Sequence, residues 1–346
     1  MEETTKKRIG YIDALRGFAM ILVVYFHISA YGFGSYETGY NGLIEHLRMP
    51  LFFFISGLLF NLSSWKENPQ QQFRNKFMAL IVPTAIFMIL YLIIIGYMNF
   101  SFLGSDKKGY WFTFVLFEFI VIYGTAEAIL NKRNTAKGEI WVMTLMLVLS
   151  VSAFYYAKYY TRYSDELGNW KTILGFFSFV KIRHIIFFWL GTIVRKHINI
   201  FLQVADNNFL ILTTLTLFMG IYTFPNSFSI KGLEYIVNFS AGLSGTIFIF
   251  IIFRKLSSSS STFFRLPSAI LEYIGTRTLD IYLIHYFFLP YHIEFIAAKF
   301  NLYENHFLCM LISLALASCV IAISLLCSRI IRFSPFLAKY LLATKK

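Results

Sequence analysis

Charged residues and cysteines are both scarce in this sequence. Only 14% of its 346 residues are charged and 57% are hydrophobic, whereas about a quarter of an ordinary soluble domain is charged. The 3 cysteines all fall between positions 309 and 327, so the chain lacks the ligands for a disulfide framework or a cysteine zinc site. These shortages argue against an ordinary soluble enzyme. They predict no metal and favour lipid as the surrounding solvent, in agreement with a mean hydropathy of +0.62.

Basic residues nevertheless outnumber acidic ones, 31 against 18. No basic stripe interleaved with aromatic residues lies on a soluble segment, so nucleic acid is not predicted as a partner. The charged start of the chain runs into a long apolar stretch without a convincing small-residue cleavage site. We therefore expect a retained helix and not a secretory signal.

Apolar stretches long enough to cross the hydrocarbon core recur along the whole chain. The predicted fold is an all-α integral membrane protein with about ten transmembrane helices. It forms a single domain over 1–346, with no soluble extra domain. The predicted spans are 9–31, 43–62, 77–98, 110–130, 140–157, 176–194, 208–224, 233–253, 269–290 and 306–331.

The positions of lysine and arginine predict the orientation, because cytoplasmic loops retain basic residues. With the N-terminus inside, the inner segments hold 19 Lys and Arg and the outer loops hold 7. Both termini are therefore predicted to be cytoplasmic, which an even number of spans also requires. The excess of positive charge is mostly a topology signal.

The first span carries three ionisable residues on one face. Relative to Asp13, Arg16 lies about 60° and His27 about 40° around the helix, and Arg16 and His27 are about 16 Å apart along its axis. A charge inside a bilayer costs at least about 2.5 kcal/mol, so each needs a partner, a cavity or a function. The structural alternatives are an Asp13–Arg16 pair at the headgroups and a satisfied core histidine. Because Asp13, Arg16 and His27 share one face of the helix, a functional role is favoured.

Other polar residues fall inside or at the ends of later spans. Glu45 could orient or protonate an imidazole, and Arg48 could hold an anionic head group, although both could be ordinary interfacial residues. Arg277 and Asp280 are spaced to pair with each other. The remaining candidates for substrate binding are His46, Glu118, Lys181, His184, Tyr282 and His285.

Several motifs occur in a specific order. Asp13-x-x-Arg16-Gly17 is followed by His27, with ten residues between Arg16 and His27, and then by Met49-Pro50-Leu51-Phe52-Phe53-Phe54-Ile55-Ser56-Gly57. Trp111-Phe112, Phe187-Phe188-x-x-Gly191 and Ile281-Tyr282-Leu283-Ile284-His285 come later. In these motifs the chain resembles the acyltransferase 3 family, including fucose 4-O-acetylase-like sugar O-acetyltransferases.

The resemblance implies an O-acyltransferase of the bacterial inner membrane. Such an enzyme moves an acyl group, usually acetyl from cytoplasmic acetyl-CoA, to a hydroxyl of a surface polysaccharide or its lipid-linked precursor. Arg16 and His27 take the places of the family's essential arginine and histidine. The family often has an Arg-x-x-Arg pair before a proline, whereas this chain has Arg74-Asn75-Lys76-Phe77 ahead of Pro83 and lacks the second arginine.

The hypothesis is that His27 is the general base, with Glu45 as a possible orienting group, since acyl transfer to a hydroxyl needs a proton acceptor. Donor binding is assigned to Asp13, Arg16 and the basic residues of the 66–76 loop, chiefly Arg74 and Lys76. A covalent acyl-histidine stays open. The alternatives are a flippase for a lipid-linked glycan and a non-enzymatic partner of glycan-assembly proteins.

Overall fold

The structure is a computed structural model, and it describes residues 9–34, 40–96, 104, 106–163, 173–223, 233–258 and 262–344. The side chains of 160–163, 258 and 262–264 lie outside this description. All regular elements within the described residues are helical. This agrees with a chain of long apolar runs in lipid, where an isolated segment can satisfy its backbone polar groups only as a helix.

The helices are numbered here in chain order. The α-helices are α1 Gly10–His27, α2 Asn41–Leu59, α3 Leu62–Glu67, α4 Pro69–Lys76, α5 Val82–Ile94, α6 Trp111–Leu130, α7 Ala136–Tyr163, α8 Ile185–Lys196, α9 Ile198–Ala205, α10 Asn208–Thr223, α11 Glu234–Ser258, α12 Thr262–Thr276, α13 Thr278–Ile284, α14 Glu294–Lys299, α15 His306–Ile331 and α16 Pro335–Leu341. The π-helical segments Ile28–Gly32 and Phe77–Ile81 and the 3-10 segments Lys107–Gly109, Phe179–His184 and His285–Phe288 join or extend them.

In the described part of the chain, 7 helical segments are long and apolar enough to cross a membrane, or up to 8 if a bent pair counts as one span. The bent pair joins Phe179–Lys196 to Ile198–Ala205 at 97°. The 7 segments are Gly10–Gly32, Asn41–Leu59, Pro69–Ile94, Trp111–Leu130, Ala136–Tyr159, Glu234–Ser257 and His306–Ile331. The chain is therefore a multi-pass membrane protein.

The predicted number of about ten spans is not shown, and the differences fall in three places. The 176–194 stretch is one arm of the bent pair. The 208–224 stretch contains α10, which has only 16 residues. The 269–290 stretch is not one helix, because α12 ends at Thr276 and α13 begins at Thr278. Arg277 between them has non-helical backbone angles (φ −119°, ψ 16°).

The described chain divides into two compact units that alternate along the sequence, and each is described by itself. The first unit comprises Met1–Phe52, Asn199–Ser229 and Val237–Leu326. The second comprises Phe53–Ile198, Ile230–Ile236 and Cys327–Lys346. The predicted catalytic and donor-binding residues are divided between the two units. Arg16 and His27 belong to the first unit, and Arg74 and Lys76 belong to the second.

In the first unit, α1 and α12 cross in close contact through two glycines. A Cβ on Gly17 would lie 2.0 Å from the carbonyl oxygen of Leu271, and a Cβ on Gly275 would lie 1.7 Å from that of Asp13. Small residues let membrane helices approach to backbone contact. The crossing holds the part of α1 that carries Asp13 and Arg16 firmly against its neighbour.

The second unit repeats this arrangement with different helices. A Cβ on Gly57 of α2 would lie 1.9 Å from the carbonyl oxygen of Phe188, and a Cβ on Gly191 of α8 would lie 2.0 Å from that of Phe54. Gly57 and Gly191 thus bring α2 and α8 into backbone contact. Both glycines belong to motifs in which the chain resembles the acyltransferase 3 family.

Candidate active site

Arg16 is fixed on the ionisable face of α1 by two side chains. Its Nη1 donates to Oδ1 of Asp13 at 3.2 Å and its Nη2 donates to Oγ1 of Thr278 at 2.9 Å. Asp13 and Arg16 therefore form the ion pair that was the structural alternative for these two residues. The Arg16 side chain is 30% exposed. Its positive charge is therefore held in place and remains accessible to a ligand.

His27 lies at the C-terminal end of α1 and pairs with a second histidine. Its Nδ1 is 3.0 Å from Nε2 of His285, and the two rings are nearly parallel, with centroids 5.2 Å apart at 8°. Both side chains are buried, with exposed fractions of 7% and 0%. The other nitrogen of His285, Nδ1, is 2.9 Å from the carbonyl oxygen of Ile281, one turn earlier.

These contacts determine which nitrogen of each neutral ring carries the proton. A carbonyl oxygen can only accept, so Nδ1 of His285 donates to Ile281, and its Nε2 is left as an acceptor. Nδ1 of His27 must then donate to that Nε2. The remaining nitrogen of His27, Nε2, carries a lone pair, which is the form that a general base requires.

Aromatic and cationic groups surround this pair. The ring centroids of Tyr31 and Tyr286 lie 5.4 and 5.3 Å from that of His27. The guanidinium carbon of Arg48 lies 3.4 Å from the centroid of the Phe26 ring, and its charge interacts with His27. Imidazole, a positive charge and apolar walls therefore occur together in the first unit.

A π-helical segment, Ile28–Gly32, directly follows His27. The Gly32 carbonyl oxygen accepts a hydrogen bond of 2.9 Å from the amide of Ile293. A Cβ on Gly32 would lie 2.8 Å from the Pro290 carbonyl oxygen. The backbone after His27 is thus bound to the backbone after His285, which supports the pairing of the two rings from the other side. Local π-helix is frequent at functional sites.

The face predicted for α1 is confirmed by its contacts. Arg16 meets Thr278 and His27 meets His285, so one side of α1 follows the 278–285 segment along its length. The predicted pair of Arg277 and Asp280 is also present, at 3.8 Å. What the sequence missed is the partner of His27, because His27 and His285 are 258 positions apart and helical periodicity reports only on neighbours within one helix.

Glu45 does not make the predicted orienting contact in the structure. Its side chain is exposed, and the ring of His27 is instead oriented by His285. His46 is exposed as well. Its two nitrogens lie 2.8 Å from the Gly42 carbonyl oxygen and 3.2 Å from Oδ1 of Asn238, which joins α2 to α11.

The residues predicted to bind the donor differ in their contacts and exposure. Asp13 pairs with Arg16, and because a carboxylate repels phosphate, the part predicted for Asp13 in donor binding is to position that arginine. Lys66 is held by Glu127, Asn131 and Asn134 at 2.8 to 3.0 Å, so its charge is already neutralised. Arg74 is exposed and Lys76 half-buried on α4. Their part in donor binding stays a prediction.

The remaining candidates fall into two groups. Tyr282 and His285 belong to the first unit, where the Tyr282 ring lies 6.2 Å from that of His285. Both nitrogens of His285 already have hydrogen-bond partners, and its part in substrate binding stays a prediction. Glu118, Lys181 and His184 belong to the second unit. There His184 stacks on Phe53 with ring centroids 5.8 Å apart.

Comparison with known proteins gives one family and no individual relative. A family model described as an acyltransferase domain, that of the acyltransferase 3 family, matches residues 9–340. No curated protein and no solved structure matches the chain. The match covers nearly the whole chain, including both histidines and all four crossing glycines. The chain therefore belongs to the acyltransferase 3 family, and it is a membrane acyltransferase.

Proposed function

We propose that this protein is an O-acetyltransferase of the bacterial inner membrane. It moves acetyl from cytoplasmic acetyl-CoA to a hydroxyl of a surface polysaccharide or its lipid-linked precursor, as fucose 4-O-acetylase-like enzymes do. The observation that carries the proposal is the His27–His285 pair. Its hydrogen bonds leave Nε2 of His27 as a proton acceptor in a buried, aromatic surrounding.

The chemistry follows from that acceptor. A sugar hydroxyl ionises far above neutral pH, so Nε2 of His27 removes its proton as the oxygen attacks the thioester carbonyl. The carbon–sulfur bond then breaks, and the thiolate of coenzyme A takes the proton from the imidazolium. The products are the sugar ester and the free thiol, and His27 returns to its starting form.

Two arginines supply positive charge, Arg48 near His27 and Arg16 near the start of α1. We assign Arg48, whose charge interacts with His27, the stabilisation of the oxyanion that develops on the thioester carbonyl. Arg16, held by Asp13 and Thr278, binds the anionic groups of the donor, for which a guanidinium fork is well suited. We assign Arg74 and Lys76 a supporting part in attracting the donor.

Substitution of the two α1 residues in a deletion strain tests the proposal. The strain is complemented with the wild-type gene, His27→Ala, Arg16→Ala or the control His292→Ala, whose side chain is 89% exposed. Mass spectrometry of the surface glycan then measures acetyl groups. We expect acetylation with the wild type and the control and its loss with the two α1 variants, by about 100-fold or more for His27→Ala.

Two outcomes would overturn this assignment. Full acetylation by His27→Ala or Arg16→Ala, at normal membrane levels, would remove the residue from the mechanism. A deletion strain that stops exporting the glycan, while the exported remnant keeps its acetyl groups, would favour a flippase.

A further inference from the structure

The end of the chain carries positive charge that its own residues do not balance. The segment 327–346 contains five lysines and arginines and no aspartate or glutamate. Arg329, in the last turn of α15, and Lys339, on α16, are exposed. Neither forms an ion pair with a carboxylate among the described residues. The segment therefore presents cations that an anion from outside can reach.

Large apolar side chains are exposed next to these cations in the sequence. Phe333 is 82% exposed, Phe336 69% and Leu337 42%. Within the described part of the chain, no other large hydrophobic residue is as exposed as Phe333. Exposed apolar surface bordered by polar residues is typical of sites that contact a membrane or another protein. The segment thus combines positive charge with apolar surface that the protein leaves uncovered.

Helix α16 turns one side to the protein and another side outward. Ala338 is 5% exposed, and α16 packs against α5 within the second unit. Phe336 lies about 160° and Leu337 about 100° around the helix from Ala338. A surface helix in water carries polar residues on its outward side, whereas a helix at the boundary of water and hydrocarbon carries aromatic and leucine side chains there. The outward side of α16 therefore suits lipid.

Hydrogen bonds fix α16 at both ends. At its N-terminus, Oγ of Ser334 accepts from the amide of Leu337 at 3.4 Å. After its C-terminus, the amide of Thr344 donates to the Ala338 carbonyl oxygen at 3.2 Å. The helix is thus held in place by the chain itself, which lowers the entropy cost of binding a ligand on its outward side.

The rings and the cation of α16 pack on one another. The ring centroids of Phe336 and Tyr340 are 5.0 Å apart, and Nζ of Lys339 lies 5.3 Å from the centroid of the Tyr340 ring. Positive charge and apolar surface are therefore adjacent. The phosphate and the acyl chains of a phospholipid are adjacent in the same way.

The combination selects a lipid with a net negative charge. A zwitterionic head group brings no net charge to the cations, and a free phosphate has no hydrocarbon to cover Phe333 and Phe336. The segment follows directly on His306–Ile331, which is long and apolar enough to cross a membrane. Lysines and arginines clustered beside a membrane span attract anionic lipids.

We infer that residues 329–342 form a binding site for anionic phospholipid. Arg329 and Lys339 attract the negative head groups, and Phe333, Phe336 and Leu337 lie among the acyl chains. This ligand is neither the donor nor the acceptor of the proposed function, so the site does not depend on that function.

Photocrosslinking tests the site on the purified full-length chain in nanodiscs of equal parts phosphatidylglycerol and phosphatidylcholine. Benzoylphenylalanine replaces Phe333, and mass spectrometry identifies the lipid that it captures. The matched control replaces Phe209, which is 71% exposed and follows Asp206, a residue paired with Arg254 at 3.0 Å. At position 333 we expect phosphatidylglycerol to be enriched about fivefold or more, the effect of one basic residue near an anionic surface. Position 209 should capture both lipids equally.

Removal of charge separates lipid contact from lipid selection. With Arg329→Gln and Lys339→Gln together, position 333 should still capture lipid but lose the enrichment. Lys132→Gln with Lys137→Gln removes two charges from the exposed turn between α6 and α7 and should keep it. Equal capture of both lipids by the otherwise unchanged chain, or capture of none, would overturn the inference. Loss of lipid capture in excess glycerol phosphate would do the same, because it would indicate a site for a free anion.

Thermal stability gives a second measurement. A ligand that binds only the folded protein raises its Tm. Phosphatidylglycerol added to the chain in detergent should raise the Tm of the wild type and have little effect on the Arg329→Gln and Lys339→Gln double variant. An equal rise in both proteins would contradict the site. Neither measurement involves acetyl transfer, so failure of the proposed function would leave both results as they are.

Discussion

His285 holds the proton of His27 on Nδ1 and leaves Nε2 as an acceptor. Under the proposed function, this gives a prediction at the scale of single residues. His285→Ala removes the acceptor for Nδ1–H of His27, so the ring loses its fixed tautomer and orientation. We expect acetyl transfer to fall about tenfold or more, with coenzyme A binding unchanged.

The His285→Gln variant distinguishes orientation from simple packing. Its carbonyl oxygen can accept from the same Nδ1–H, so it should recover part of the rate that His285→Ala loses. Rates are compared from acidic to alkaline pH, because removal of the hydrogen bond must also move the acidic limb, where the imidazolium forms. Equal loss in both variants with an unmoved profile would show that His285 acts only through packing.

Arg48 carries a second prediction at this scale. Its guanidinium packs on Phe26 and places positive charge near His27. Arg48→Met is expected to lower kcat about 100-fold, the usual cost of losing one oxyanion donor, and Arg48→Lys should lose less. Arg133→Met removes an exposed arginine of the second unit and should leave kcat as it is. A kcat unchanged in Arg48→Met would exclude the electrostatic role.

Local geometry explains what could be predicted of the site. Asp13, Arg16 and His27 lie on one helix, so its 3.6-residue period was enough to place them on a common face. Thr278, the Ile281 carbonyl and His285 reach that face only through the packing of distant segments. A carbonyl group has no signal in residue type, and the chemistry of Glu45 predicts an orienting role although its side chain is exposed.

At the scale of elements, the glycine crossings make the sharpest prediction. Gly17→Ala and Gly275→Ala each place a methyl group 2.0 Å or less from a backbone oxygen of the facing helix, and the main chain cannot move aside as a side chain can. We expect a loss of stability above about 3 kcal/mol, beyond ordinary overpacking, seen as poor accumulation or a lower Tm in detergent.

Gly220→Ala is the matched control for these variants. Gly220 lies within α10, and a Cβ there would meet nothing within 4 Å. Alanine is favoured over glycine in a helix by about 1 kcal/mol, so this variant should be as stable as the wild type or more so. A stable Gly17→Ala protein would mean that α1 and α12 are not in backbone contact.

Hydropathy predicted most of the spans but not their interruptions. The seven long segments follow from apolar content alone. The break at Arg277 was missed because the apolar residues on both sides outweigh the polar 276–278 segment in a hydropathy average. The break has a use, since it places Oγ1 of Thr278 2.9 Å from Arg16. A hydropathy average likewise cannot predict the bend of 97° after Lys196.

At the scale of the whole molecule, the number of spans decides the side on which the chain ends. The distribution of basic residues predicts both termini in the cytoplasm, which requires eight or ten spans. Seven would put the two ends on opposite sides. A green fluorescent protein fused to the C-terminus should therefore fluoresce, and an alkaline phosphatase fused there should be inactive.

A second pair of fusions makes this result interpretable. The same reporters inserted in the loop near Lys107 should give the opposite pattern, because that loop is predicted to be outside. An active phosphatase at the C-terminus would overturn the predicted orientation and favour seven spans.

Arg16 and His27 lie on one uninterrupted helix that is clamped against α12, and this turns their separation into a molecular ruler. Their distance of about 16 Å cannot adapt to the donor. Under the proposed function, it selects thioesters carried at the end of a long arm, with the anionic groups at the other end. Acetyl thioesters without a nucleotide should consequently be poor donors, however reactive their carbonyl.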